Sequence, residues 1–132
     1  MIGIDTNLLL RFILQDDDVH SRVARRFFES VDAAKPAYIN TIVLIEFIWT
    51  ARRRLKMTRQ ELIVILSGFL DSNNIVLEDE PLVELALDGM IRSGEEFTDV
   101  FLALKNINAG CDRTLTFDAK AAKTVPGMEL LA

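Results

Sequence analysis

Four acidic residues of this chain stand in apolar segments, where an ionised side chain is costly unless something compensates it. Asp5 ends MIGID, Glu46 is the only charge in TIVLIEFIWTA, Asp99 opens DVFLAL, and Asp118 ends TLTFD. Two carboxylates about 5 Å apart repel by roughly 3 kcal/mol at an effective dielectric near 20. If the fold gathers these acids, we therefore expect a bound cation.

The available donors point to a hard divalent ion. Cys111 is the only cysteine and His20 the only histidine, so a zinc site has too few ligands. We expect Cys111 to be a small packed residue and His20 to be solvated. Mg²⁺ or Mn²⁺ is the natural partner of carboxylate oxygens. Such a site favours phosphoryl transfer or phosphodiester hydrolysis, because the metal activates water and neutralises charge at phosphorus.

Short apolar strands alternating with helices would position these acids. The predicted strands are MIGID, AYIN, NIVLE and TLTFD, with MELL as a fifth. Strands that are apolar on both faces indicate a parallel sheet with helices on both sides. Because the carboxyl ends of parallel strands meet at one edge, Asp5 and Asp118 are predicted to be neighbours.

The other two acids lie on predicted helices. Glu46 shares a helical face with Ile42 and Trp49, so we expect it to point inward or toward a cleft. Asp99 falls in the first turn of its helix, where the helix dipole is expected to lower its pKa.

Helix boundaries follow from capping residues. Thr41 is the expected N-cap of the helix that carries Glu46, and Thr58 with Glu61 predicts a capping box. The first helix is expected to end at the acidic turn Asp16 to Asp18. The next, from about residue 19 to 31, is expected to bury a stripe formed by Val23, Phe27 and Val31.

Length and composition predict one domain over residues 1–132. The chain is 50% hydrophobic and 27% charged, with a mean hydropathy of +0.22, which favours a dense core. Its uncharged stretches fall well short of the roughly 20 residues that span a bilayer, and no leader peptide is recognisable. We therefore expect a cytoplasmic protein without a membrane partner.

Several segments occur together in an order that one known family shares. They are MIGIDTN, a lone Glu in the helix after AYIN, EEFTDVFLAL, AGCDRTLTFD and the tail TFDAKAAKTVPGMELL. With them, essentially the whole chain resembles a PIN domain, specifically a VapC-type toxin ribonuclease of a type II toxin-antitoxin system. The resemblance implies a three-layer α/β/α fold with a short, mostly parallel sheet of four or five strands.

The resemblance also implies a metal-dependent endoribonuclease. Its catalytic and metal-ligating acids would be Asp5, Glu46, Asp99 and Asp118, holding one or two Mg²⁺ or Mn²⁺ ions. The residues implied to support the site are Thr6, Asn7, Thr116 and Glu96. Relatives often carry Asp at the position of Glu96, which leaves open which acid of EEFTD is the ligand; the helix start favours Asp99.

The implied partners are RNA and a cognate antitoxin. An antitoxin arginine could pair bidentately with the acidic site, and a homodimer or a larger assembly with the antitoxin is expected. The net charge of −5 opposes nucleic-acid binding in bulk, so RNA would need local positive patches. The candidates are Arg22, Arg25, Arg26, Arg52, Arg53 and Arg54.

Two other functions are compatible with parts of this sequence. A non-catalytic PIN-like module that binds RNA or protein is the main alternative, although four clustered acids would then carry repulsion without a metal. A phosphatase with Asp5 as nucleophile is disfavoured, because DTN lacks an acid two residues further on. Transfer, ribosomal and messenger RNA all present the same phosphates, so the sequence leaves the target open.

Overall fold

The structure is a computed structural model that describes residues 1–16 and 18–131. It contains two compact units, residues 1–80 and the chain from residue 81 onward. Asp17, the middle residue of the predicted acidic turn, lies outside the described residues. That the chain is one domain stays a prediction.

The first unit is an α/β unit with a parallel sheet. In spatial order its strands are β1 (Ile2–Gly3), β2 (Ala37–Ile39) and β3 (Ile75–Leu77). Its helices are α1 (Thr6–Leu14), α2 (Val19–Ser30), α3 (Thr41–Trp49) and α4 (Arg59–Asp71). A π-helical turn, Thr50–Arg54, follows α3.

Strand β1 is shorter than the segment MIGID suggested. Its regular pairing covers only Ile2–Gly3, although the Ile4 N–H still donates to the Tyr38 carbonyl at 3.1 Å. The strand ends there because Asp5 already serves as the N-cap of α1. The central strand β2 buries Ala37 and Ile39, as expected for a strand with neighbours on both sides.

Helix α2 buries a different face from the predicted stripe. The residues that it buries are Ser21, Ala24 and Phe28, and Val23 is 57% exposed. Phe28 stacks on Phe12 of α1 with ring centroids 4.0 Å apart. This contact with α1 determines which face of α2 is buried. The predicted burial was therefore wrong for Val23, whereas Val31 is buried as predicted.

Two predicted caps have different outcomes. Asn40, not Thr41, caps α3, since its Oδ1 accepts the Val43 N–H at 2.9 Å and Thr41 is the first helical residue. The prediction failed because both residue types suit an N-cap and only the backbone conformation separates them. The capping box of Thr58 and Glu61 is confirmed, with both reciprocal hydrogen bonds present.

The second unit also contains paired parallel strands. Its strands β4 (Thr114–Thr116) and β5 (Met128–Leu130) pair with each other, so MELL is a strand as predicted. The helices are α5 (Glu80–Ser93), whose first residue ends the first unit, α6 (Phe97–Asn108) and α7 (Ala119–Thr124). The sequence reading did not include α7.

Helices α5 and α6 pack closely at a glycine. A Cβ built on Gly89 would lie 2.7 Å from Val100 Cγ1, closer than a real Cβ approaches another atom. Within α6, Phe97 and Phe101 stack with centroids 5.3 Å apart, and both are buried. A glycine in mid-helix is unfavourable by itself, so close packing is the physical reason for it here.

Two expectations about composition can be compared with the structure. Among the described residues, no helix is both long and apolar enough to cross a bilayer. Cys111 is exposed, so its prediction as a packed residue was wrong. It follows the end of α6, where the chain turns outward through Gly110 at a φ of +103°.

Candidate active site

Asp5 is held at the point where β1 passes into α1. Its Oδ1 accepts the Leu8 N–H at 2.9 Å, which caps the helix, and its side chain is exposed. A strand-ending acid that also caps a helix is held in place by the backbone.

Glu46 lies close to the first turn of α1. Thr6 Oγ1 donates a hydrogen bond to Glu46 Oε1 at 3.3 Å, so a residue adjacent to Asp5 in the chain orients the second acid. The contact joins Thr6 to a predicted ligand, and a supporting role for Thr6 in the site stays a prediction. Thr6 and Glu46 are 40 residues apart in the sequence, so no local pattern indicated this hydrogen bond.

The face of α3 that carries Glu46 points to solvent. Ile42 is 70% and Trp49 is 56% exposed, and Glu46 between them is exposed as well. Of the two predicted orientations of Glu46, inward or toward a cleft, the inward one was therefore wrong. The opposite face of this almost wholly apolar helix packs into the core. The buried residues of α3 are Val43, Leu44, Phe47 and Ile48.

A pocket of about 380 Å³ lies beside Asp5, between α1 and α2. Asn7, another predicted supporting residue, lines it together with Asp5. His20 is exposed, as expected, and borders the same pocket. Arg11, also in the lining, is engaged by Asp18 at 2.8 Å, so its charge is compensated within the unit.

Asp99 is the partly buried acid of the second unit. It lies in the first turn of α6, as predicted, and Glu96 is the N-cap residue. Burial raises the pKa of Asp99, and the charges of Asp118, Glu95 and Glu96 raise it further. The predicted lowering was wrong, because desolvation and three like charges outweigh the helix dipole.

Asp118 is fixed by two backbone contacts. Its Oδ1 accepts the Ala121 N–H at 3.0 Å and so caps α7, while its own N–H donates to Thr116 Oγ1 at 3.0 Å. Thr116 therefore positions the backbone of Asp118, while its supporting role in the site stays a prediction. Within this unit, Asp118 is near enough to act electrostatically on Asp99.

The sequence reading missed Glu95. This residue is only 8% exposed, and its Oε1 accepts a hydrogen bond from Thr124 Oγ1 at 2.6 Å. Glu96 beside it is exposed. Glu96 was a predicted supporting residue, whereas Glu95 was not singled out. The only signal for Glu95 was an acidic pair immediately before a helix that contains two phenylalanines.

The predicted quartet is divided between the units. Asp5 and Glu46 belong to the first, and Asp99 and Asp118 to the second. Within either unit taken by itself, the described residues include no group of three or more His, Cys, Asp or Glu arranged to hold a metal. That all four form one centre stays a prediction.

The donor chemistry nevertheless fits a divalent ion. All four acids offer hard oxygen ligands, as Mg²⁺ and Mn²⁺ prefer. Asp5 Oδ1 accepts a hydrogen bond from the Leu8 N–H, and Asp118 Oδ1 accepts one from the Ala121 N–H. The raised pKa of Asp99 indicates crowded negative charge that a cation would compensate.

The basic candidates differ in their surroundings. Arg22, Arg25 and Arg26 lie on exposed positions of α2. Arg52 is half-buried, and its Nη1 donates to the Met57 carbonyl at 2.7 Å, which ties it to the chain reversal after the π-helical turn. Arg53 and Arg54 are exposed. Arg52 is thus engaged in local structure, whereas its two neighbours project into solvent.

Comparison with protein families decides the kind of domain. The family model described as the PIN domain matches residues 2–125, nearly the whole chain. The chain belongs to the PIN-domain family. Its short parallel strands and many helices agree with the PIN-like α/β fold, which confirms the predicted fold class. A comparison with curated proteins gives no match.

Membership in the PIN-domain family also bears on activity. PIN domains are generally nucleases that use divalent metal ions, so the predicted enzyme class, a hydrolase, is supported at this general level.

Proposed function

We propose that this PIN domain is a metal-dependent endoribonuclease and the toxin of a type II toxin-antitoxin pair. The observation that carries the nuclease proposal is the crowding of acids around Asp99 in a family of metal-dependent nucleases. Repulsion of this kind is a cost to the fold unless a cation is bound. The toxin assignment rests on the resemblance of the quoted segments to VapC-type proteins.

The acids proposed to hold Mg²⁺ or Mn²⁺ are Asp5, Glu46, Asp99 and Asp118. A bound divalent ion would activate water and neutralise charge on the phosphodiester. The chain supports these acids through specific contacts: Thr6 orients Glu46, and Thr116 holds the backbone of Asp118. Asp5 is held in place by the first turn of α1, through the hydrogen bond from the Leu8 N–H.

The remaining partners follow from the same charge pattern. RNA phosphates outside the cutting site require cations, and the exposed Arg25, Arg26, Arg53 and Arg54 provide them. A cognate antitoxin would inhibit by presenting an arginine to the carboxylates. A homodimer, or a larger assembly with the antitoxin, belongs to this proposal.

The test is cleavage of a mixed pool of transfer and ribosomal RNA by the purified chain. Reactions contain Mg²⁺, Mn²⁺ or EDTA, and each is repeated with Asp99→Asn. The matched control is Asp88→Asn, an exposed acid of α5 that pairs with Arg92 at 2.9 Å. We expect discrete cuts that require metal, persist in the control and disappear in Asp99→Asn.

Cuts that survive both EDTA and Asp99→Asn would point to a contaminating nuclease and overturn the proposal. A folded chain that binds RNA but cuts none of it with either metal would favour the non-catalytic binding module.

A further inference from the structure

An exposed stripe of mixed chemistry runs along α3 and into the π-helical turn. Its members recur at helical spacing and all face solvent: Ile42, Glu46, Trp49 and Arg53. We call it the α3 stripe. It combines an apolar residue, a candidate metal ligand, an indole and a guanidinium on one side of one helix.

Trp49 is the least expected member. It is the only tryptophan of the chain and is 56% exposed. A tryptophan buries about 150–250 Å² when packed, so leaving it in water forgoes a large hydrophobic gain. Its position one helical turn after Glu46 gives the candidate site a flat aromatic surface.

The π-helical turn carries cations to the end of the stripe. The Leu55 N–H donates to the Thr50 carbonyl at 3.0 Å, an i to i+5 bond that widens this last turn. While Arg52 is tied to the Met57 carbonyl, Arg53 and Arg54 remain exposed. Positive charge therefore lies just beyond the indole.

A second copy of the chain would fit this stripe poorly. In an antiparallel two-fold pairing, Arg53 would face Ile42 and Glu46 would face Trp49. In a parallel one, Glu46 would face Glu46. Both arrangements bury charges without a partner of opposite sign, which is unfavourable.

We propose that the α3 stripe is a track for single-stranded RNA, in which Trp49 stacks on a base next to the cleaved phosphate. Arg53 and Arg54 contact the phosphates that follow. From Glu46 to Arg53 the helix advances roughly 10 Å, which matches about three nucleotides of a stacked strand. The inference rests on the proposed ribonuclease function and adds to it a residue for base binding.

Aromatic and basic side chains in alternation are the usual means of holding single-stranded nucleic acid without reading its sequence. Duplex RNA keeps its bases stacked inside the helix, so it would offer Trp49 no base face. The track thus predicts a preference for unpaired segments.

Tryptophan fluorescence gives a direct test, since Trp49 is the only indole. The Asp99→Asn chain with Mg²⁺ is titrated with a single-stranded oligoadenylate of about eight nucleotides. The Asp99→Asn substitution is used because it is expected to prevent cleavage of the oligonucleotide and to remove the repulsion between Asp99 and its neighbouring acids. We expect quenching by the single strand and little quenching by a duplex of the same length.

The affinity is then measured by anisotropy of the labelled oligonucleotide. In the same background, Trp49→Ala should weaken binding by about 5- to 150-fold, and Trp49→Phe by less. The matched control is Val64→Ala, an apolar residue of α4 that is 62% exposed, and it should leave affinity unchanged.

Two results would overturn the track: no quenching, or an unchanged affinity after Trp49→Ala. If Trp49→Ala changes only the sedimentation of the protein, the stripe is instead a contact between copies. The two proposals fail separately. RNA cleavage that is insensitive to Trp49→Ala removes the track alone. If Asp99→Asn shows the expected quenching but the unsubstituted chain cuts no RNA with either metal, binding along the stripe stands and the nuclease is removed.

Discussion

At the scale of single residues, the environment of each acid decides its chemistry. Asp5 and Asp118 are exposed helix caps, whereas Asp99 is half-buried among like charges. Glu46 is exposed and is oriented by a hydroxyl from another helix. Four acids of similar sequence context therefore have three different surroundings.

Removal of the Asp99 charge should stabilise the metal-free chain. The folded pKa lies above the usual value, so between the two values the folded state binds more protons, and stability falls as pH rises through this window. Asp99→Asn should therefore raise the free energy of unfolding at neutral pH by up to about 1 kcal/mol, since solvent screens a half-exposed charge.

Urea unfolding in EDTA at neutral pH and at a pH below 3.8 measures this effect. The gain should vanish at the lower pH, and Asp88→Asn should show no gain at either. A loss of stability in Asp99→Asn at neutral pH would refute the argument.

The hydroxyl of Thr6 should matter for turnover. Thr6→Val removes the donor to Glu46 and should lower kcat about 2- to 10-fold, the range expected for one hydrogen bond of ordinary strength. Thr41→Val is the matched control, because the Thr41 hydroxyl is buried without a hydrogen-bond partner in the described structure. Steady-state cleavage of a labelled RNA compares the two, and equal rates would contradict the role of Thr6.

At the scale of elements, close helix packing and capping carry the fold. The stacking of Phe28 on Phe12 determines which face of α2 is buried. Helices α5 and α6 approach each other closely at Gly89. The π-helical turn after α3 changes the direction of the chain and exposes Arg53 and Arg54. Each feature depends on a contact between elements rather than on the propensity of one.

Two helical glycines should respond oppositely to alanine. At Gly89 the new Cβ would meet Val100 Cγ1 at 2.7 Å, so Gly89→Ala should destabilise by about 1–3 kcal/mol through overpacking. At Gly68 in α4 nothing lies within 4 Å, so Gly68→Ala should stabilise by about 0.5–1 kcal/mol. Urea denaturation measures both, and a stabilising Gly89→Ala would contradict the close approach of α5 and α6.

At the scale of the whole molecule, the question is whether acids from both units serve one ion. The chain carries a net charge of −5, which favours cation binding in general, so a specific site must be separated from a diffuse effect. Metal binding stabilises the folded state in proportion to its affinity, which gives a readout independent of cleavage.

Mn²⁺ should raise the Tm of the chain, and EDTA should reverse the rise. Asp5→Asn in the first unit and Asp118→Asn in the second should each reduce this rise, if both units contribute ligands. Asparagine caps helices as well as aspartate does, so neither variant should lose its cap. Scanning calorimetry in matched ionic strength measures the effect; a rise that is insensitive to one of the two variants would exclude that residue as a metal ligand.

The sequence by itself determined what depends on near neighbours and on pattern. The order of the five strands and of every helix except α7 follows from local preferences, as do the capping box at Thr58 and the position of Asp99 in a first turn. The family resemblance came from short motifs in order, and the family match supports it at the level of the PIN domain.

Tertiary structure decided what depends on distant contacts. The burial of Glu95, the solvent-facing side of α3 and the raised pKa of Asp99 were missed or predicted wrongly. Desolvation and charge repulsion act through space, and an almost wholly apolar helix such as α3 gives no pattern to choose its buried face. Helical spacing aligned Glu46 with Trp49, but only packing decided that both face solvent.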